Sequence, residues 1–402
     1  MKKTILTTML LLASATVSAQ YYPDARNVDM VHVRQPRTQC RTEIRMPEVD
    51  GYKAIKADLH SHTVYSDGRM TMEGRMLEAW CDGLDVIAVT EHVEYRRYEK
   101  NAVRYYKGYC GTDAKASGYD IVHAKDAGPE VINVDFNVPV SVAKDLAKPL
   151  GLVVIPGLEV TRTPETIGHF NALFTKDNNT IHAADPAQSI RNAKAQGALI
   201  MHNHPGWLRP SLEMTDFEKK VYGEGLIDGV EIMNGAEFYP KAIDRAIKHN
   251  LFVTASTDIH FTTADTYGRF GAHRNMTIIF AKDNSLESLR EALEAKRTLA
   301  YSYGVLAGRE ELLKKFVTAC LDMEFIANDY KNRPLYKLTN NSSVEFCYRV
   351  NGSNLRSLPA NSSVTVRLDK GKTTFDIEFT SAWCDSKKFL AFTVDPANWN
   401  RK

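Results

Sequence analysis

The sequence predicts an α/β protein built as a (β/α)7-type barrel and followed by a small antiparallel β domain. Three observations lead to this fold class. Short apolar runs of strand length alternate with amphipathic helical segments between residues 51 and 308. Most of these runs end in His, Asp or Glu, which is how parallel strands place polar groups at one end of a barrel. After residue 308, apolar and polar residues alternate with a period of two.

The first 19 residues have the pattern of a secretory signal peptide. Lys2 and Lys3 precede an apolar run over residues 5–13, and Val17-Ser18-Ala19 supplies the small residues of a cleavage site. The apolar run is too short for a membrane anchor, and no Cys follows the cleavage point as in a lipoprotein. We therefore expect an exported protein, periplasmic or extracellular, without a stable membrane anchor. Residues 20–50 are polar and predict an extended arm.

Strands and helices alternate along residues 51–308. A strand over residues 53–60, a helix over 72–81 and a strand over 86–90 form a unit that gives parallel neighbours. Residues 95–126 have weak periodicity and predict a helix with a long loop. The other predicted strands cover residues 152–155, 168–174, 198–202, 229–234, 252–255 and 276–280, and the other helices 137–150, 187–196, 241–249 and 285–295.

The pattern changes after the predicted barrel. A connecting helix is expected within residues 309–330. Alternating segments then cover residues 344–350, 363–367, 374–379 and 389–394, separated by turns such as Asn351-Gly352-Ser353. Residues 331–402 therefore predict an antiparallel, sandwich-like β domain.

Composition narrows the possible partners. The net formal charge is +2 and the basic residues are scattered, so no nucleic-acid partner is expected. There are six cysteines but no CxxC pair, which argues against a thiolate zinc site. Export permits disulfides, and Cys347 and Cys384, both in strand-like segments, can pair. The oligomeric state is left open.

The most informative stretch runs from residue 58 to residue 68. His60 and His62 end the first apolar run, and residues i and i+2 of a strand share a face, so both imidazoles can point at one metal ion. The turn at Ser66-Asp67-Gly68 can fold the Asp67 carboxylate towards them. One such pair is equally compatible with a structural role; recurrence of the pattern favours a metal site. Further His, Asp and Glu residues at strand ends are His92, Glu159, His169, His202, His204, Asp258 and His260.

These motifs, in this order, resemble those of the PHP (polymerase and histidinol phosphatase) family. They are the HxH pair with Ser-Asp-Gly, then Thr-Glu-His, Gly-Leu-Glu, His-Pro and Asp-Ile-His, and they cover residues 50–305. Within that family the chain is most similar to secreted bacterial phosphodiesterases of the Sb-PDE type. The resemblance implies a distorted (β/α)7 PHP barrel over residues 51–308 and a metal-dependent phosphoesterase activity.

The resemblance also implies two to three divalent metal ions, Mn, Fe or Zn, in a trinuclear site. It places His60, His62, Glu159 and Asp258 on one metal, Asp67, His92 and His260 on a second, and His169 and His204 on a third, with Glu159 bridging. Catalytic roles are expected for Asp67, His92, Glu159, His204 and His260. The chain departs from the family at Glu91, where Asp is common, and some members carry His at the position of Asp67.

Several assignments stay open. His202 is a rival to His204 because the two lie two residues apart; His204 precedes Pro205, as the family's ligand does. Arg269, His273 and Asn234 are candidates for substrate binding. Structural or surface positions are expected for His123, His182 and His249.

The expected reaction is hydrolysis of a small-molecule phosphate ester, with diesters favoured over monoesters. A metal-bridging hydroxide is the expected nucleophile, because grouped divalent cations neutralise phosphoryl oxygens and acidify bound water. The alternatives are a phosphomonoesterase, an amidohydrolase and a secreted binding protein with a structural metal site. An amidohydrolase usually adds a carboxylated Lys on a middle strand, where this chain has Glu159 and histidines. Ligands from several strand ends favour a catalytic site over a structural one.

Overall fold

The computed structural model describes residues 41–95 and 135–399. The predicted signal peptide, residues 20–40 of the predicted arm, His123 and nearly all of the predicted loop over residues 95–126 lie outside the described residues. Within these ranges, none of the helices has the length and apolar character needed to cross a membrane.

Up to residue 308, the described strands and helices alternate much as predicted. The strands are β1 (Lys53–Asp58), β2 (Val86–Val89), β3 (Val153–Thr161), β4 (His169–Leu173), β5 (Leu199–His202), β6 (Gly229–Asn234), β7 (Glu237–Phe238), β8 (Phe252–Ser256), β9 (Met276–Ala281), β10 (Thr298–Ser302) and β11 (Val305–Gly308). The helices are α1 (Met72–Cys81), α2 (Val138–Ala147), α3 (Pro186–Ala195), α4 (Asp216–Gly223), α5 (Pro240–His249), α6 (Thr263–Thr266) and α7 (Leu286–Glu294).

These strands belong to one large mixed sheet. Its order is β11-β10-β9-β1-β2-β3-β4-β5-β6-β7, with β8 beside β6. The pairs β1–β2, β2–β3, β5–β6 and β6–β8 are parallel. In contrast, β4 runs antiparallel to both β3 and β5, and β9 runs antiparallel to β1. The predicted α/β class is confirmed as a mixed, parallel-rich fold, but the strand–helix alternation is not uniform.

The short connection between β3 and β4 explains one departure. Residues 162–168 are too few for the crossover that a parallel pair requires, so the chain turns back and β4 pairs antiparallel. Residues of β2, β4, β5, β8 and β9 are all buried, as expected of strands covered on both faces.

Backbone hydrogen bonds bring the segments after β1 and β8 together. Asp258 N donates to His60 O at 2.9 Å, and His62 N donates to Ile259 O at 3.2 Å. On another side, a bridge joins His92 to Glu159. The carboxyl ends of β1, β2, β3 and β8 therefore surround one place.

The C-terminal part contains one helix and several antiparallel strand pairs. Helix α8 (Glu310–Cys320) ends where β12 begins, so only the first half of the predicted connecting segment 309–330 is helical. The strands are β12 (Leu321–Asn328), β13 (Pro334–Asn340), β14 (Phe346–Val350), β15 (Arg356–Leu358), β16 (Ser363–Arg367), β17 (Phe375–Trp383) and β18 (Phe389–Val394). Of these, β12, β13 and β15 were not predicted.

The C-terminal strands divide between two sheets. A separate antiparallel sheet contains β12, β13 and β16, whereas β14, β15, β17 and β18 extend the large sheet. The connection is a parallel pairing of β17 with β11, with Leu306 opposite Ala382. The domain boundary between residues 308 and 331 and the sandwich-like packing stay predictions. Cys347 and Cys384 are both free thiols.

Candidate metal centre

Polar side chains from six strands of the large sheet converge on one point. All the residues assigned as metal ligands from the sequence belong to this cluster. Strand β1 leads into His60, His62 and, after a turn, Asp67; β2 leads into His92; β3 carries Glu159; β4 begins with His169; β5 leads into His204; and β8 leads into Asp258 and His260.

Three overlapping groups of imidazole nitrogens and carboxylate oxygens form within the cluster. In each group the ligand atoms lie within 4.8 Å of one another, which is close enough for a shared cation. The groups are His62, Asp67, His92 and His260; His60, His62 and Asp258; and His60, Glu159 and His204. His60 and His62 each belong to two groups. The groups therefore share more residues than the three ligand sets predicted from the sequence.

Glu159 occupies the centre of the cluster and is fully buried. Its Oε1 lies 3.5 Å from His60 Nε2, 3.2 Å from His169 Nδ1 and 3.9 Å from His204 Nε2. Its other oxygen, Oε2, lies 3.5 Å from His62 Nε2. One carboxylate is therefore in position to serve more than one cation, as its predicted bridging role requires.

The neighbours of two imidazoles set which nitrogen faces the cluster. His60 Nδ1 lies 3.3 Å from Glu231 Oε1, which leaves Nε2 directed at the other ligands. His260 Nδ1 lies 2.7 Å from the carbonyl oxygen of Asp258 and donates to it, so its Nε2 is also left for the cluster. Such contacts orient a metal ligand and select its tautomer.

Two residues of the cluster have backbone conformations that L-residues rarely adopt. The φ angle is 23° at His204 and 50° at Asp258. Non-glycine residues at positive φ carry a conformational cost that the surrounding structure must offset, and they are concentrated at functional sites. Here each turns a side chain out of the strand direction and into the cluster.

The donor set fits divalent cations. The Nε2 atoms of His60 and His62 lie 3.1 Å apart, so both can ligate a single cation placed to one side of them. Asp67 Oδ1 is buried and receives no hydrogen bond from the described residues. Imidazole and carboxylate together suit borderline metals such as Zn²⁺, Mn²⁺ and Fe²⁺.

Electrostatics within the cluster point the same way. Burial, reinforced by the nearby His92 and His260, lowers the pKa of His62 to about 3, so this imidazole is neutral and able to ligate. Burial also acts to lower the pKa of His92, but the carboxylates of Glu159 and Asp67 outweigh it and raise that pKa to about 10. A bound cation would supply the positive charge that these carboxylates otherwise draw from a proton.

Comparison with known proteins identifies the family. No family model matches the chain, and no curated protein does. A solved structure from Bacteroides vulgatus, described as a two-domain protein containing a predicted PHP-like metal-dependent phosphoesterase, is 31% identical, with a TM-score of 0.74 over 88% of this chain and 98% of that chain. The chain belongs to the PHP-like metal-dependent phosphoesterases. The predicted family is thereby confirmed.

Two further solved structures show weaker likenesses to this PHP-like chain. A metal-dependent phosphoesterase from Bifidobacterium adolescentis, described as putative, is 16% identical, with a TM-score of 0.36 over 52% of this chain and 90% of that chain. A lesion-specific endonuclease from Pyrococcus furiosus is 17% identical, with a TM-score of 0.38 over 64% of this chain and 59% of that chain. The family assignment rests on the Bacteroides protein.

The choice between the two histidines after β5 has a clear geometric outcome in this PHP-like chain. His204 lies in the cluster, whereas His202 points into a separate buried network. His202 Nδ1 is 2.9 Å from Tyr222 Oη, its Nε2 is 3.3 Å from Glu218 Oε1, and its ring stacks on Phe170 at 4.9 Å between centroids. His202 therefore lies outside the cluster, in contact with Tyr222, Glu218 and Phe170.

Two residues that support the cluster are not among the residues assigned to the site from the sequence. Asn203 Nδ2 donates to Glu159 Oε1 at 2.8 Å and so orients the central carboxylate. Glu231, buried in strand β6, accepts from His204 N at 2.8 Å and from Asn234 Nδ2 at 2.7 Å. Asn203 lies between two histidines, but an amide there carries no pattern that predicts a contact.

Glu91, the departure from the family pattern, lies beside the cluster as a structural acceptor. Its carboxylate accepts from Thr63 N at 3.2 Å and from the hydroxyl groups of Thr63 and Ser66. These contacts hold the turn that carries Asp67. Glu91 therefore holds this turn in place, and it does not belong to any of the three groups.

A buried ion pair lies beneath the cluster. Asp58 and Arg274 are fully buried side chains whose Oδ2 and Nη2 atoms are 2.5 Å apart. Asp58 Oδ1 also accepts from His60 N at 3.2 Å and from Thr257 N at 3.1 Å. This one carboxylate therefore ties the backbone at the ends of β1 and β8, next to the cluster residues His60 and Asp258.

The proposed substrate-binding residues are placed differently from one another. Asn234 touches Glu231 at the edge of the cluster. His273 points away, because its Nε2 lies 2.7 Å from the carbonyl oxygen of Asp82 at the end of α1. The side chain of Arg269 is 70% exposed and faces Asp265 at 3.6 Å. Of these three residues, Asn234 alone has a contact among the described residues that connects it to the cluster.

Proposed function

We propose that this protein is an exported, metal-dependent hydrolase of small-molecule phosphate esters, with diesters as the preferred substrates. The observation that carries the proposal is the convergence of imidazoles and carboxylates from six strands on one place. Membership of the PHP-like phosphoesterases favours a phosphate ester as the bond that is cleaved. The signal-peptide pattern of residues 1–19 supports export, and with it a substrate outside the cytoplasm.

The three overlapping ligand groups support a site for up to three cations. His62, Asp67, His92 and His260 would hold one; His60, His62 and Asp258 a second; and His204 and His169, with Glu159, a third. When bound, divalent cations neutralise the phosphoryl oxygens and lower the pKa of water so that it becomes a nucleophile at neutral pH.

Exposure indicates the side from which the substrate enters. The side chains of His60, His62 and Glu159 are fully buried, whereas those of His260 and Asp258 are 29% and 20% exposed. The phosphate group therefore approaches over His260 and Asp258. The buried residues exclude water from the opposite side and fix the positions of the ligands, which is the preorganisation that transition-state stabilisation needs.

The test combines metal analysis with paired substrates. The protein without residues 1–19 is loaded with Mn²⁺, Fe²⁺ or Zn²⁺, its metal content is measured, and hydrolysis of p-nitrophenyl phosphate and bis(p-nitrophenyl) phosphate is compared. We expect two to three metals per chain and faster hydrolysis of the diester. His60→Ala and Asp258→Ala should lose metal and activity together, and His249→Ala, a histidine on α5 outside the cluster, is the matched control.

Each result has a definite meaning. Faster hydrolysis of the monoester would support the proposed metal site but would show that the protein is a phosphomonoesterase and not a phosphodiesterase. Full metal content and activity in both ligand variants would refute the proposed centre. Hydrolysis of an amide with no cleavage of either phosphate ester would favour an amidohydrolase, and bound metal with no hydrolysis of any kind would favour the structural site of a binding protein.

A further inference from the structure

An exposed tryptophan borders the cluster at the end that contains His169 and His204. Trp207 lies in the loop after β5, with ring centroids 5.5 Å from that of His169 and 5.3 Å from that of His204. Both contacts are edge-to-face, at 64° and 74°. Although it touches two buried imidazoles, Trp207 remains 39% exposed. Its ring thus has one side on the ligands and another open to a bound molecule.

The loop holds this ring in a defined position. Trp207 N donates to His204 O at 3.0 Å, so the tryptophan is tied to the ligand by a tight turn. Arg209 donates to Pro205 O at 3.0 Å and forms an ion pair with the buried Glu218. An aromatic ring held in this way loses little conformational freedom when a ligand stacks on it.

The segment around His260 has a different character. There the guanidinium of Arg69 lies over the ring of Phe261 at 4.7 Å, and Arg69 N donates to His260 O at 2.6 Å. Among the described residues, no cation lies over Trp207. The cations proposed for the cluster would hold an anionic phosphate, and the open ring of Trp207 beside His169 and His204 suits a flat apolar substituent on that phosphate.

We infer that Trp207 is the stacking surface for a planar aromatic or heteroaromatic substituent of the phosphate ester. The inference rests on the proposed function and narrows its substrate class to esters that carry such a ring. Contact between aromatic rings adds an affinity factor of about 3 to 10 beyond what simple burial gives. An ester with a small alkyl substituent gains nothing from this surface.

Phosphonates allow the contribution of the aromatic ring to binding to be measured without hydrolysis, because they have no ester bond to cleave. Binding of phenylphosphonate and methylphosphonate to the metal-loaded protein is measured by calorimetry and by quenching of tryptophan fluorescence. In the unaltered protein, phenylphosphonate should bind about 10-fold more tightly than methylphosphonate. Trp207→Leu should remove most of this difference and leave methylphosphonate affinity and metal content within about 2-fold. Trp207→Phe should retain part of it.

The matched control is Tyr330→Leu, which removes an aromatic ring that is 88% exposed in the turn after β12. It should leave both affinities unchanged. Equal affinity for the two phosphonates, or no binding of either, would overturn the inference. So would a parallel loss of metal and of methylphosphonate affinity in Trp207→Leu, because Trp207 would then act by positioning His204.

The two proposals can fail separately. Hydrolysis of phosphate esters with no preference for phenylphosphonate would overturn the role of Trp207 and leave the phosphoesterase standing. Selective binding of phenylphosphonate through Trp207, with no hydrolysis of any phosphate ester, would refute the phosphoesterase while the stacking surface stands. Absence of bound metal would overturn both.

Discussion

Replacing Arg274 with methionine tests whether the buried ion pair supports the metal centre. Methionine fills much of the volume of the arginine stem but leaves Asp58 without its cationic partner in a fully buried place. Loss of one partner of such a pair costs about 3–5 kcal/mol. Asp58 keeps three neutral donors, namely His60 N, Thr257 N and Thr257 Oγ1, so we expect a value near the lower end, about 3 kcal/mol.

Thermal unfolding provides the assay. At about 2 °C per kcal/mol for a chain of this size, Arg274→Met should lower Tm by about 6 °C. The matched control is Arg290→Met, which breaks the pair of Arg290 with Glu294 at 2.9 Å on the surface of α7 and should cost under about 1 kcal/mol. Metal should also be released to a chelator faster in Arg274→Met, because Asp58 holds the backbone of His60. Equal Tm values for the two variants would refute the supporting role of the buried pair.

Three other predictions concern stability. Burial acts to raise the pKa of Glu218, but His202 and Arg209 outweigh it and lower that pKa from 4.5 to about 2, so the ionised carboxylate stabilises the fold above pH 4.5 and this stabilisation is lost as the pH falls towards 2. Glu218→Gln should therefore lower the midpoint of urea unfolding at pH 7, and the difference from the unaltered protein should shrink below pH 4.5. A difference in midpoint that stays constant with pH would contradict this. A Cβ on Gly229 would come within 2.1 Å of the Phe252 ring, so Gly229→Ala should lower Tm. Gly151 has open space around it but a positive φ of 66°, so Gly151→Ala should lower the free energy of unfolding by only about 1 kcal/mol. Equal losses of Tm in the two variants would contradict the packing argument. Removing metal with a chelator should lower Tm by several degrees, because ligands that bind only the folded state stabilise it, and re-addition of metal should restore it; a Tm that does not respond would argue against a metal centre.

The positions of most cluster residues followed from local sequence. Strands β1, β2, β5 and β8 are short, mainly apolar runs, and a His, Asp or Glu of the cluster stands at or shortly after the end of each; Glu159 lies within β3 and His169 begins β4. The antiparallel course of β4 was also accessible, since residues 162–168 cannot form a crossover. It was missed because alternation of strands and helices elsewhere favoured a uniform repeat.

The distinction between His202 and His204 was beyond local reasoning. In a regular strand both would share one face, and the sequence offers no sign that the chain leaves strand geometry between them. With a φ of 23° at His204, the two rings point in different directions: His204 points into the cluster, whereas His202 contacts Tyr222 and Glu218. Similarly, the pairing of Asp58 with Arg274 joins residues 216 positions apart, which depends on how β1 and β9 meet.

The C-terminal strands bear on the metal centre through β6 and β7. Trp383, at the end of β17, packs on Phe238 of β7 with ring centroids 5.4 Å apart. Strand β7 pairs with the end of β6, the strand that carries Glu231. Glu231 in turn contacts His60 and accepts from the backbone of His204. A continuous set of contacts therefore leads from the C-terminal strands to the cluster, so these strands help to fix its geometry as well as extending the sheet.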